Sequence, residues 1–419
     1  MKYDLIFVLL WQHIELPLVH SQTLDQAQKQ SEIGKELKPK SVSVWIMTPL
    51  RFCLGSKQLG MLKKMRLRCP GINIQLFPEI NRLNNFPLYL FLKYHRKKML
   101  GDRVVFHFRG EETINHFTRH YRKLDDDSFF LDVRGYWPAE LLYANGVEDI
   151  EKLSSDWATI YDLEKRKLRV ALGSADGVIT VSQNLANLLK EIESALPEIN
   201  VIPCSVSAVH ARANRDKIRQ SLRVESTEKL LVYSGGYARY QHLEDLTIPF
   251  INLILQNSEH AKVLILSQDM LRIQQIVKAK TSFYERFIFR KVEQIEVADY
   301  LSACDLGLLL RKESLVNIVA QPVKVGEYLA AGVPVCVEGE VGGVTSELMS
   351  YEAGLAIHIA DRNKEEWIMH AQRVLNFLEV DHSRNAQLLA QKYFLWDRNV
   401  LKQRQYYQVI SSGAGQPWY

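Results

Sequence analysis

Short apolar runs recur along the chain and alternate with segments whose apolar positions repeat with a helical period. Several runs are apolar at nearly every position, as in YDLIFVLL at residues 3–10, instead of at every second position. Such runs are typical of strands covered on both faces, and strands that alternate with helices indicate parallel, doubly wound sheets. The predicted strands of the first half are YDLIFVLL, SVSVWIM, INIQLF, RVVFHF, SFFLDVR, GVITVS and INVIPC, and those of the second half are KLLVYSGG, KVLILS, RFIFRKV, DLGLLL, VPVCVE and GLAIHI.

These runs are too many for one compact sheet, and they fall into two similar sets. A chain of 419 residues also exceeds the usual size of a single core. We therefore predict an α/β protein with two Rossmann-like domains, at residues 1–205 and 206–385. The remaining segment, 386–419, has a helical pattern with aromatic residues on one side, and we expect it to cross back onto the first domain.

Composition narrows the class of protein without naming it. The hydrophobic content of 47% and the charged content of 24% are typical of a soluble globular protein. A net charge of +5 suits an anionic ligand or membrane surface and does not call for nucleic acid. Five cysteines without a CxxC pair indicate reduced thiols in a cytoplasmic protein. No apolar run approaches the ~18 residues that a membrane-spanning helix needs.

A glycine pair follows one predicted strand of the second half, in LLVYSGGYARYQHLEDL at residues 230–246. Gly235 and Gly236 would let backbone amides approach an anion, and the following helix would add the positive end of its dipole. Arg239 is a candidate charged donor to phosphate. An ordinary strand-to-helix turn fits the same pattern equally well. The stretch matches neither the GxGxxG dinucleotide pattern nor the phosphate loop of nucleotide hydrolases.

A second candidate site lies in PVKVGEYLAAGVP, residues 322–334, after the predicted strand DLGLLL. Pro322 is a favoured first-turn residue, so Lys324 and Glu327 would lie on nearly one face of a helix. At a strand's carboxyl end, the lysine can hold a phosphate and the glutamate can accept hydrogen bonds from the two ribose hydroxyls. The alternative is an exposed ion pair worth ~0.3–0.5 kcal/mol, which the apolar surroundings disfavour.

These segments resemble a known family. Residues 301–343 are similar to the donor-nucleotide segment of retaining family-four glycosyltransferases, and VYSGGYARYQHLEDL, ADGVITVSQNLANLL (175–189) and FFLDVRGYWPAE also resemble that family, in the right order. The resemblance implies the GT-B fold, in which two Rossmann-like domains face a cleft. It implies that residues 1–205 bind the acceptor and that residues 206–385 bind a nucleotide-sugar donor.

The resemblance also implies roles for individual residues. Glu327 matches the glutamate that holds the ribose, and Lys324 falls in the proline-x-lysine position of one subgroup. Gly235 and Gly236 match the loop that faces the donor phosphates. Gly342 and Gly343 match the glycines after the next strand, where backbone amides come near the donor.

The chain departs from the family pattern at several positions. Val319 stands where the first motif glutamate is expected, eight residues before Glu327. The usual arginine and lysine after the glycine loop fall near Tyr237 and Gln241. Arg134 stands where a histidine often ends a first-domain strand, and WQHIELPLVHSQ (11–22) replaces the N-terminal glycine loop.

Retaining sugar transfer needs positive charge at the leaving diphosphate, a placed acceptor hydroxyl and the exclusion of water. We assign the diphosphate to Arg239 and Lys324, with no metal and no other cofactor. From the first domain we expect Arg134, oriented by Asp132, with Glu140 or His107 near the acceptor. A structural role fits His107 as well as a catalytic one, and a buried ion pair is the alternative for Asp132 and Arg134.

Residues 84–100 interleave apolar and aromatic side chains with Lys93, Arg96, Lys97 and Lys98. The segment suits an anionic membrane and a lipid-linked acceptor, although an ordinary amphipathic helix with a solvated basic face fits slightly better. The motif Asp125-x-Asp127 precedes its strand, which favours a turn over a metal site.

The leading hypothesis is therefore a cytoplasmic, peripheral glycosyltransferase that builds a surface polysaccharide from a nucleotide sugar and a glycan or lipid-linked acceptor. Val319 leaves open a sensor or partner subunit that binds a nucleotide sugar without turning it over. A sugar-nucleotide epimerase on the same fold is a second alternative, which the DVRG and proline-x-lysine segments disfavour.

Overall fold

The computed structural model describes residues 2–10, 20–49, 56–79, 86–99, 103–360 and 362–412. Thirteen strands form two sheets: β1 Tyr3–Leu10, β2 Ser41–Pro49, β3 Asn73–Glu79, β4 Arg103–Arg109, β5 Asp127–Val133, β6 Gly177–Thr180, β7 Asn200–Val201, β8 Lys229–Ser234, β9 Ala261–Leu266, β10 Phe287–Arg290, β11 Leu306–Leu309, β12 Val335–Glu338 and β13 Gly354–Ile357. Each of the thirteen predicted runs overlaps one of these strands, so the prediction of the strands is confirmed.

The α-helices of the described residues alternate with the strands. They are α1 Asp25–Glu32, α2 Ser56–Arg68, α3 Phe86–Lys97, α4 Glu111–Thr118, α5 Trp137–Ala144, α6 Ser155–Gly173, α7 Gln183–Ile192, α8 Arg215–Ser221, α9 Ile248–Asn257, α10 Met270–Lys280, α11 Val297–Ser302, α12 Leu315–Val319, α13 Val323–Ala330, α14 Thr345–Ser350, α15 Lys364–Phe377, α16 Ser383–Tyr393 and α17 Trp396–Ser412. Short 3₁₀ turns lie at Ile150–Lys152, Arg239–Gln241 and Tyr284–Arg286, and π-helical turns at His20–Leu24 and Leu243–Thr247.

Both sheets are parallel throughout. The first has the order β3-β2-β1-β4-β5-β6-β7, and the second has the order β10-β9-β8-β11-β12-β13. In each sheet the strand order reverses once, between β1 and β4 and between β8 and β11. Open parallel sheets bind ligands beyond the carboxyl ends of the strands at such a switch point. The fold therefore directs attention to the ends of these four strands.

Each sheet is covered on both faces, as the continuous apolar runs predict. All eight residues of β1 are buried, and apolar clusters lie on either side of each sheet. Most of the charged and polar candidates lie beyond the strand ends, whereas His107 and Asp132 lie within β4 and β5.

Two chain segments, which lie next to each other, connect the domains. Val206 forms an isolated parallel bridge with Leu395, and α17 then packs on the first sheet. Trp396, Tyr406 and Tyr407 of α17 are buried in the same apolar cluster as β1 and β2. The prediction of a C-terminal helix that crosses back to the first domain is confirmed. Among the described helices, none is both long and apolar enough to cross a bilayer.

Candidate active site

The switch point of the second sheet brings the two motif regions together. β11 pairs directly with β8, so the glycine pair after β8 and the segment after β11 share one edge of the sheet. α13 begins at Val323 and carries Lys324 in its first turn. The sequence therefore assembles a site from a glycine turn, a strand end and a helix start.

The ammonium of Lys324 lies directly on the glycine turn. A Cβ atom placed on Gly235 would stand 1.9 Å from Nζ of Lys324, so this position accepts only glycine while the lysine keeps its place. Gly235 also has φ +155°, which L side chains rarely adopt. Nζ is 5.4 Å from the centre of the Tyr233 ring. Burial and the charge of Arg311 lower the pKa of Lys324 to about 7, although Glu327 acts in the opposite sense.

Arg311, which the sequence analysis did not select, is the second cation of this site. It follows β11 and is only 6% exposed. Its Nη2 donates to Oε1 of Gln241 at 3.1 Å, its guanidinium lies 5.2 Å from the Tyr240 ring, and its buried Nε has no hydrogen-bond partner. Burial lowers its pKa. An arginine placed directly after a fully apolar strand was the available signal.

Glu327 lies one turn after Lys324, but the two side chains contact different neighbours. Oε1 of Glu327 is 3.5 Å from Nε2 of Gln294, whereas the lysine lies on the glycine turn. Burial raises the pKa of Glu327, and the charge of Lys324 opposes this shift. The two residues therefore do not form the exposed surface ion pair that was the alternative from sequence. The ammonium of Lys324 and the carboxylate of Glu327 are placed to contact separate parts of one ligand.

The remaining glycines differ in what they face. Asp269 accepts a hydrogen bond from the amide of Tyr237 at 2.8 Å, and its Oδ2 would lie 2.9 Å from a Cβ on Gly236. Gly342 has φ +53° and packs on the backbone of residue 320, with a Cβ-to-oxygen distance of 2.5 Å. Gly343, with φ +74°, has nothing within 4 Å of such a Cβ. Of these positions, Gly343 has the open face that a ligand could approach.

Arg239 is not brought next to Lys324. Its guanidinium reaches the first domain, where it lies 3.2 Å from Oε1 of Glu148 and against Gly146. A second bridge between the domains lies close by, because the hydroxyl of Tyr143 is 2.5 Å from Nε2 of His242. In this arrangement Arg239 joins the domains, and Arg311 supplies the charge beside Lys324.

The first-domain candidates form one buried chain of contacts. His107 is 1% exposed, with Nδ1 2.7 Å from the hydroxyl of Tyr407 and Nε2 3.2 Å from Oδ2 of Asp132. Nε of Arg134 lies 2.8 Å from the Asp132 carboxylate. Burial opposes ionisation of Asp132, yet Arg134, His107 and Arg109 together hold its pKa well below its ordinary value. Since both ring nitrogens of His107 have partners, the residue is placed to position Asp132 and not to meet an acceptor.

Arg134 retains one buried atom, Nη2, without a hydrogen-bond partner, while Nη1 lies 3.8 Å from Sγ of Cys204. Glu140 packs against Gly135, where a Cβ would lie 1.9 Å from its Oε1. Burial raises the pKa of Glu140, and burial, with a contribution from Glu140, raises that of Glu111 to about 7. Glu111 opens α4 directly after β4, so two carboxyl groups lie near each other where β4 and β5 end.

Val319, which stands at the position of the expected glutamate, has a structural role. Val319 is 2% exposed and belongs, with Val316 of the same helix α12, to an apolar cluster of the first domain. Oγ of Ser182 donates to the Val319 carbonyl at 2.6 Å, and Nδ2 of Asn184 donates to the Ile318 carbonyl at 3.1 Å. The helix that would carry the acid is therefore docked on the first domain through apolar side chains.

Of the basic segment at residues 84–100, the structure describes 86–99. Residues 11–19, which belong to the segment that stands in place of the N-terminal glycine loop, lie outside the described residues. Arg96 is 8% exposed and pairs with Asp126 and Asp127, each at 2.7 Å, so it belongs to the interior and not to a basic surface. Asp127 is buried in this pair, which gives the Asp125-x-Asp127 motif a structural role. Lys97 and Tyr94 remain exposed.

Within the described ranges, no group of three or more His, Cys, Asp or Glu side chains is arranged to hold a metal ion. No family model matches the chain, and no curated protein matches it in sequence.

Solved structures resemble the chain over nearly its whole length. Sucrose-phosphate synthase from Thermosynechococcus elongatus matches with a TM-score of 0.67 and 14% identity, over 99% of this chain and 100% of that one. HepE from Anabaena in complex with UDP-glucose matches with a TM-score of 0.62 and 14% identity, over 97% and 99%. WaaG, a glycosyltransferase involved in lipopolysaccharide biosynthesis, matches with a TM-score of 0.58 and 13% identity, over 98% and 100%. At these identities the likeness shows the fold alone, and the chain has the two-domain GT-B fold.

Proposed function

We propose that this protein is a glycosyltransferase that moves a sugar, with retention of configuration, from a nucleotide-sugar donor to a glycan or lipid-linked acceptor. The observation that carries the proposal is the contact of Lys324 with Gly235 at the switch point of the second sheet, with Glu327 one helical turn away. A cation and close backbone approach suit a diphosphate, and a carboxylate beside them can accept hydrogen bonds from the hydroxyls of a ribose.

In this proposal the charge of Lys324 and the backbone amides of the glycine turn stabilise the leaving diphosphate. Glu327 accepts hydrogen bonds from the ribose hydroxyls. The acceptor lies at the end of β4 and β5, near Arg134, Glu140 and Glu111. Closed contact between the domains excludes water from the cleft. Side-chain cations and amides act on the diphosphate here, so the proposal assigns no metal and no other cofactor.

The first test is a thermal-shift screen of UDP-, GDP-, ADP- and CMP-sugars, followed by a transfer assay with the sugar nucleotide that stabilises the protein. UDP-sugars are the natural starting point, since HepE, which shares the fold, has been solved with UDP and with UDP-glucose. Anomeric analysis of the product decides retention. A protein that none of the four classes stabilises would refute the proposal.

A second candidate function is a sensor or partner subunit that binds the nucleotide sugar without turnover. The burial of Val319 between the domains favours it, because the expected acid is replaced by an apolar contact. The transfer assay separates the two functions: saturable donor binding with neither transfer nor donor hydrolysis supports the sensor.

We further propose a peripheral site on the cytoplasmic face of a membrane and a role in surface polysaccharide synthesis. Exposed leucines and lysines support it, with Leu59 and Leu67 of α2 and Leu90 of α3 exposed by 49%, 72% and 49% beside Lys63 and Lys97. Co-sedimentation with anionic and with neutral vesicles tests it. Equal recovery with both kinds of vesicle would show that the basic residues do not contribute to membrane binding. No recovery with either kind would refute the proposed membrane location.

A further inference from the structure

We propose that Arg311 is a diphosphate-binding residue that supplies, from the end of β11, a cation that the glycine loop of this chain lacks near Gln241. The inference rests on the proposed function and goes one step further, because it assigns the second positive charge to a residue outside the loop. Gln241 then serves to hold the guanidinium and Lys324 provides the first charge.

The burial of Arg311 is the first argument. The side chain is 6% exposed, and none of the ion pairs found among the described residues includes it. A buried guanidinium without a carboxylate is costly, since nothing in the protein replaces its hydration. A structural arginine in such a place normally has every donor satisfied, whereas Nε of Arg311 has no partner.

The location of Arg311 is the second argument. β11 lies beside β8 in the sheet, so its end adjoins the Gly235 turn. Arg311 is close enough for its charge to act on Lys324. Two neighbouring cations repel each other in the free protein, and a ligand that carries two negative charges removes that repulsion. A guanidinium can also donate to two phosphate oxygens at once, which an ammonium cannot do with the same geometry.

The manner in which Arg311 is held is the third argument. Its two contacts, the side-chain amide of Gln241 and the ring of Tyr240, both come from the turn that follows the glycine pair. Neither contact neutralises the charge. They orient the guanidinium and leave it electrically available, which is the arrangement expected of a preorganised anion-binding group.

The test compares Arg311→Met with wild type by calorimetric titration of UDP, UMP and uridine, together with thermal melting of the free protein. Lys312→Met is the matched control, because it removes the same charge one residue later from a side chain that pairs with Asp245 at 3.4 Å. We expect Arg311→Met to weaken UDP binding by about tenfold or more, and uridine binding hardly at all, while the melting temperature does not fall. Lys312→Met should bind all three like wild type.

A rescue variant separates the ligand-binding role from a packing role. In the Arg311→Met background, Gln241→Lys places an ammonium where the guanidinium was held, and UDP affinity should recover most of its loss. A folded double variant without recovery would count against a shared phosphate contact for these two positions.

Three results would overturn the inference. Unchanged UDP affinity in Arg311→Met would show that Arg311 does not bind the diphosphate, and the proposed function would stand. A lower melting temperature with equal losses for UDP and uridine makes Arg311 a structural residue. Wild-type protein that binds none of UDP, GDP, ADP or CMP, the nucleotides of the four donor classes, would refute the proposed function and with it the role of Arg311.

Discussion

The pH dependence of nucleotide binding offers a test of Lys324 in depth. In the free protein burial lowers its pKa to about 7, from 10.5 in an unfolded chain, and a bound diphosphate favours the ammonium. With a pKa of about 7, about half of the lysines are charged at pH 7 and about 3% at pH 8.5. If the charged form binds the diphosphate, the observed affinity for UDP should fall roughly 15-fold over this interval.

The stability of the free protein should change in the opposite direction. Between pH 7 and pH 10.5 the unfolded chain holds the Lys324 proton and the folded chain does not, so stability rises with pH over this window. The contribution of Lys324 between pH 7 and pH 8.5 amounts to about 1.5 kcal/mol. A ligand that restores the charge removes this gain.

Both slopes are measured against Lys324→Met. Calorimetric titration of UDP and urea unfolding of the free protein are carried out at pH 7.0, 7.75 and 8.5 at constant ionic strength, which keeps the ionisation of the nucleotide common to both proteins. Wild type should lose affinity and gain stability with rising pH, and the variant should lack both components. The reasoning is wrong if the two proteins show parallel pH profiles, since another group would then carry the proton.

Three further substitutions probe the site and the domain contact. Glu327→Ala should weaken UDP binding about tenfold or more but leave pyrophosphate binding unchanged, and equal losses for both ligands in calorimetry would deny it the ribose. Val319→Glu buries an unpaired carboxylate and should lower stability in urea by about 3 kcal/mol, against Val319→Leu as control; a neutral effect would mean that α12 is not docked. Tyr143→Phe removes the bond to His242 and should cost about 1 kcal/mol while raising the radius of gyration in small-angle scattering, and identical scattering curves would dismiss the bridge as a closing contact.

The fold could be predicted from local sequence patterns. Buried parallel strands are apolar at nearly every position, so each apolar run predicts one strand. YDLIFVLL and DLGLLL predict β1 and β11 without knowledge of their neighbours. The return of the last helix was also readable, since its aromatic side needs a partner. These features depend on short stretches of sequence, so the stretches suffice to predict them.

The sequence predicted the candidate site only where local backbone features form it. The Gly235 turn and the start of α13 are local features, and they bring Lys324 to the correct edge of the sheet. Arg311 was missed because its sequence does not reveal that it is buried without a carboxylate. Arg239 was assigned to phosphate because a sequence does not show the direction of a side chain, and its contact with Glu148 spans the two domains.

His107 illustrates the same limit at longer range. One of its ring nitrogens is met by Tyr407, which is 300 positions away along the chain. No local motif encodes that partner, and without it a histidine near a strand end is indistinguishable from a catalytic one.

The packing of α17 has a consequence for biosynthesis. Tyr406 donates to the carbonyl of Glu198 at 2.7 Å and accepts from the amide of Val178 at 3.0 Å, while Arg404 is fully buried against Gln30. The first domain thus takes part of its interior from α17, which a ribosome synthesises well after the rest of that domain. The nascent first half leaves the exit tunnel with an incomplete interior and must wait for about 200 further residues, at roughly 5–20 residues per second, before it can close. Chaperone binding to the ribosome-attached chain should therefore persist until α17 emerges.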